Sequence, residues 1–103
     1  MDHVADRLLA AVSAKGTPLC VGLDPRWESL PLVLRASYAE TPAGRAQAYE
    51  EYCQRILELV APHVGVVKPQ SAFFEACGPA GMLAVLMVIQ TSLRLGLFSF
   101  VYS

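Results

Sequence analysis

An α/β fold built on parallel strands is what this sequence of 103 residues predicts. Two short apolar runs without alternation, residues 19–23 and 64–67, read as strands buried on both faces. Each is closed by a proline-containing turn signal, and each is followed by a segment with helical spacing of apolar residues. Strands alternating with helices imply parallel pairing through right-handed crossovers, the unit shared by doubly wound sheets and (β/α)₈ barrels.

The elements follow in order. Asp2 stands where it can cap a first helix bearing Val4, Leu8, Ala11 and Val12, and Gly16 stands where a helix ends. Leu19-Cys20-Val21-Gly22-Leu23 forms the first strand, terminated by Asp24-Pro25. Residues 26–40 read as an irregular connector with one helical turn at Leu32, Val33 and Leu34. Thr41-Pro42 is an N-cap followed by proline at the first helical position, and the stripe Tyr49, Cys53, Ile56, Leu57, Val60 carries that helix to Pro62.

Val64-Gly65-Val66-Val67 forms the second strand, ended by Lys68-Pro69. Gly78-Pro79-Ala80-Gly81 opens another helix, carrying Leu83, Leu86, Met87 and Ile89 towards Gly96. Phe98, Phe100 and Tyr102 alternate with Ser99 and Val101, the period of a third strand. No repeat, low-complexity tract or linker divides residues 1–103, which read as a single partial domain.

Composition excludes several functions. Eight Lys plus Arg against nine Asp plus Glu, with no basic cluster, speak against nucleic acid as a partner. Cys20, Cys53 and Cys77 are widely spaced and odd in number, so neither a disulfide framework nor a metal pair is expected, and a cytoplasmic location fits. His3 and His63 lack a second ligand at metal spacing. The acidic start of the chain is unlike a signal peptide. The stretch 81–102 is apolar enough to raise a membrane span, but Arg94 and its polar neighbours oppose it, and no membrane partner is expected.

Asp24 and Lys68 carry the chemical interest. Taken singly, Asp24 is a turn aspartate and Lys68 a lysine whose stem covers apolar surface. Taken together, an acid and a base at the ends of successive parallel strands would face one another across a shared mouth, where a polar ligand could bridge them. Glu75, after Phe73 and Phe74, reads as a local hydrogen-bond partner or a solvated charge.

Two long motifs then point to a family. Leu-Cys-Val-Gly-Leu-Asp-Pro-Arg at 19–26 with Leu30-Pro31, and Val-Val-Lys-Pro-Gln-Ser-Ala-Phe-Phe-Glu at 66–75 with Gly78-Pro79 and Gly81, resemble the longer bacterial type of orotidine 5'-monophosphate decarboxylase. The resemblance runs to about Leu97. It implies a partial (β/α)₈ TIM barrel of about the first three strands with their helices. It also implies an enzyme that converts orotidine 5'-monophosphate to uridine 5'-monophosphate and carbon dioxide, working as a homodimer without metal or organic cofactor.

By the same resemblance, Asp24 binds the ribose of the nucleotide. Lys68 contacts substrate as the first member of a catalytic Lys-Asp-Lys-Asp array. The other members belong to an Asp-x-Lys-x-x-Asp motif after the third strand, and that motif does not occur in these 103 residues. An early stop or a shifted reading frame is the expectation for the final residues. The fragment alone is expected to be inactive and, with open sheet edges, to aggregate. A noncatalytic half-barrel that binds a complementary chain is the alternative, and a related phosphate-binding barrel with another substrate also stays open.

Overall fold

The computed structural model describes residues 2–16, 20–99 and 101. Helix α1 (Asp2–Lys15) leads to strand β1 (Cys20–Leu23), a single 3₁₀ turn (Trp27–Ser29) and the short helix α2 (Leu32–Ala36). Helix α3 (Pro42–Val60) crosses to β2 (Val66–Pro69), and helices α4 (Ser71–Glu75) and α5 (Pro79–Arg94) cross to β3 (Phe98–Ser99). The strands lie in the order β1-β2-β3, and both pairings are parallel.

Local chemistry accounts for the helix boundaries. Gly16 ends α1 with φ 67°, a left-handed conformation that a side chain would strain. The N–H of Gly44 donates to Thr41 Oγ1 at 3.0 Å, so Thr41 supplies the first turn of α3 with an acceptor, while Pro42 has no N–H to satisfy. Thr41→Ala is expected to cost about 1 kcal/mol of stability, read as a lowered urea midpoint.

One face of the sheet holds the core. Leu23 and Val67 point to the helices, where Tyr49, Cys53 and Leu57 of α3 meet Val85 and Val88 of α5 around the fully buried Phe74. The aromatic rings pack edge to face, Trp27 on Tyr49 at 6.5 Å and Tyr49 on Phe74 at 6.2 Å. Helix α1 reaches the sheet at its N-terminal end, where the backbone of Ala11 packs directly on Gly65.

Four sequence expectations change. The second strand begins two residues later than the apolar run and includes Lys68 and Pro69, because their register with Gly22 and Leu23 extends the ladder. The connector contains more regular structure than the pattern indicated, and α4 occupies residues that lack a full helical stripe. Strand β1 is not buried on both faces: Cys20 and Gly22, on the side turned away from α3 and α5, are exposed. In α5 it is Ala84, Val85 and Val88 that face the core, while Leu83, Leu86 and Met87 face outward. Phe100 and Tyr102 of the expected third strand lie outside the described residues. Among the described residues, no helix is long and apolar enough to cross a membrane.

Candidate active site at the open face of the sheet

Parity places the candidate residues. Cys20 pairs with Val66 and Gly22 with Lys68, so Cys20, Gly22 and Lys68 share the face turned away from the helices. Asp24, the next residue of that parity, joins them: its carboxylate lies 3.3 Å from the point a Cβ on Gly22 would occupy. The structure thus brings Asp24 and Lys68 to one face at the C-terminal ends of neighbouring strands. Asp24 is exposed and Lys68 half-buried, an open site.

The loops that hold them are anchored from below. After Asp24 the chain buries Pro25, Trp27 and Leu30, and the guanidinium of Arg45 sits 4.9 Å from the centre of the Trp27 ring. Arg26 lies 5.4 Å from the centre of the Phe73 ring, which links the loop after β1 to α4. At the strand ends the N–H of Gln70 donates to the carbonyl of Leu23 at 3.1 Å, joining the two loops beside the site. Ser71 Oγ donates to Glu75 Oε1 at 3.2 Å, which gives Glu75 the local role expected of it rather than a place at the mouth.

The thiols feel this arrangement. Partial burial pushes the Cys20 thiol above its ordinary value, and the positive charge of Lys68 pulls it back. Cys20 was not singled out as a neighbour of Lys68 from sequence, although the two-residue period of the strand contains that information. Burial, and then the negative charge of Asp24, push the Cys53 thiol up to about 12.

A thiol whose folded value lies above its unfolded value of 9.0 contributes stability that is complete below pH 9 and is lost as the pH rises towards 12. Urea midpoints should therefore fall across that interval and fall less steeply in Cys53→Ala. An identical slope in that variant would show that Cys53 does not carry the effect.

Sequential parallel strands, with their crossover helices on one face and polar side chains at the C-terminal ends of the other, define a segment of a (β/α)₈-barrel wall. The comparisons with known proteins agree. The chain is 47% identical to the orotidine 5'-phosphate decarboxylase of Rhodopirellula baltica, over 90% of its own length and 31% of that protein. It is 40% identical to the orotidine 5'-phosphate decarboxylase of a Nocardioides species, over 87% of its own length and 30% of that protein.

Among solved structures it superposes on an orotidine-monophosphate-decarboxylase homologue from Toxoplasma gondii with a TM-score of 0.75, at 31% identity, covering 93% of this chain and 29% of that one. An orotidine 5'-phosphate decarboxylase homologue from Streptomyces avermitilis gives a TM-score of 0.71 at 29% identity, covering 95% of this chain and 32% of that one. No family model matches. The chain belongs to the orotidine 5'-phosphate decarboxylase family and spans about 30% of the length of the relatives it matches, an extent that fits an N-terminal fragment.

Proposed function

We propose that this segment supplies the nucleotide-contacting part of an orotidine 5'-phosphate decarboxylase barrel, with Asp24 binding the ribose and Lys68 placing positive charge beside the reacting ring. The observation that carries the reading is the placement of both side chains on one open face at adjacent strand ends, inside the two motifs of the resemblance. The reaction releases carbon dioxide and leaves a developing carbanion on the pyrimidine. A fixed ammonium group favours that charge more than it favours the ground state, which is how a positioned charge accelerates a reaction. The residues that protonate the carbanion belong to the motif these 103 residues lack. The segment alone therefore binds nucleotide weakly and does not turn it over. In the complete enzyme the role is a step of pyrimidine nucleotide synthesis, without a metal or organic cofactor.

A chimera tests this. Residues 20–97 replace the matching segment of the Rhodopirellula baltica decarboxylase, and conversion of orotidine 5'-monophosphate is followed. The expected outcome is an active chimera whose turnover falls at least ~100-fold in Lys68→Ala. Asp24→Ala should mainly raise KM, by roughly tenfold for one lost charge-assisted hydrogen bond. Full turnover in the Lys68→Ala chimera would overturn the assignment of Lys68, and turnover by the isolated chain would overturn its predicted inactivity.

A second reading is a half-barrel that binds a complementary chain. It draws on the same open face, where Cys20 and Gly22 are exposed on a sheet side that barrels normally fill with side chains.

A further inference from the structure

Arg26 closes the first of the two motifs and Phe73 lies within the second, yet neither belongs to a strand. They meet each other instead, with the guanidinium carbon of Arg26 standing 5.4 Å from the centre of the Phe73 ring. Arg26 is exposed and Phe73 half-buried, so the contact lies at the surface. The neighbours of Phe73 already have their tasks: Phe74 fills the core, and Ser71 and Glu75 bond to one another. A guanidinium on an exposed aromatic face shifts an equilibrium by a factor of roughly two to five.

The two candidate site residues are held unequally. Lys68 lies inside β2 opposite Gly22, and the pairing continues past it to Leu23 and Pro69. Its backbone is therefore fixed by the ladder. Asp24 lies one residue beyond the end of β1, and the bond from the Gln70 N–H to the Leu23 carbonyl, at 3.1 Å, stops just short of it. Past that point the buried Pro25 and Trp27 anchor the chain towards the core. Arg26 ties it sideways, to the helix that follows Lys68 and Pro69.

We propose, resting on the reading of Asp24 as the ribose contact, that Arg26 and Phe73 are a positioning pair. The guanidinium on the ring fixes the loop after β1 against α4 and so sets where the Asp24 carboxylate stands relative to Lys68. The pair acts on nucleotide binding through Asp24 and leaves Lys68, held by the ladder, in place. Its signature is a raised KM at nearly constant kcat.

Phe73→Leu is the informative variant, because it removes the ring without altering charge near an anionic nucleotide. In the chimera of residues 20–97 with the Rhodopirellula baltica decarboxylase, Phe73→Leu and Arg26→Ala should each raise KM for orotidine 5'-monophosphate about threefold, with kcat within about twofold of the parent. Phe73→Tyr keeps the ring face and should stay near the parent KM. In an Asp24→Ala background neither substitution should raise KM further.

A KM raised by Arg26→Ala and not by Phe73→Leu would mean that Arg26 meets the nucleotide itself, which overturns the pair. An unchanged KM in both variants, or an effect of the same size in the Asp24→Ala background, also overturns it. Parental KM in Asp24→Ala alone overturns the ribose reading, and this inference with it. Should the chimera not turn over, amide exchange in the 103-residue chain decides. Phe73→Leu should then speed exchange of the Gln70 amide about threefold while amides within α3 keep their rates, and an unchanged Gln70 rate overturns the pair.

Discussion

Gly81→Ala is expected to cost the fold ~3 kcal/mol or more, a sizeable share of the 5–15 kcal/mol that holds a typical domain. A Cβ at position 81 would overlap the carbonyl oxygen and carbon of Phe74 and approach Cys77 Cβ to 2.9 Å. Flexible side-chain ends can swing away from an added methyl group, but a backbone carbonyl at the end of α4 moves only with its helix. The first turn of α5 must then lift from α4, and the contact between α5 and α3 on which the core depends opens with it. Urea denaturation followed by circular dichroism measures the loss. A midpoint within about 0.5 kcal/mol of the parent would mean that α4 and α5 are not packed this closely.

Phe74→Ala should be comparably severe, at about 3–5 kcal/mol. Phe74 is fully buried, the largest side chain of the core to be so, and its ring meets Tyr49 edge to face with an interplanar angle of 80°. Truncation removes apolar burial and leaves a cavity between β2, α3 and α5 that the short helix α4 cannot collapse to fill. Unfolding of Phe74→Ala should be measured beside Phe74→Leu, which keeps much of the volume and should lose clearly less. Equal losses would indicate that the ring is not seated in a closed core. Because the Phe74 carbonyl is the group Gly81 approaches, the two substitutions are neighbours, and their effects should not add.

Much of this was legible in the sequence because it rests on local chemistry. Thr41-Pro42 declared the start of α3, Gly16 the end of α1, and the stripe Tyr49, Cys53 and Leu57 the buried side of the longest helix. The motifs around Asp24 and Lys68 named the family before any coordinates. The strand limits were less legible, since hydrophobicity marks what is buried whereas a strand is defined by its pairing. Lys68 enters β2 because Gly22 is its partner across the ladder, a relation between residues far apart in the chain.

The sequence by itself determined the parallel α/β class, the family and the two residues of chemical interest, because apolar period, caps and motif residues are properties of neighbouring positions. Tertiary structure alone decided which face each side chain serves. It put both crossover helices on one side of the sheet, left Cys20, Gly22, Lys68 and Asp24 together on the other, and turned Leu83, Leu86 and Met87 outward while smaller residues filled the core. The physical reason is that a helix apolar on all sides fits a core in more than one rotation, and only the close approach of Gly81 to α4 and of Val85 and Val88 to α3 selects one.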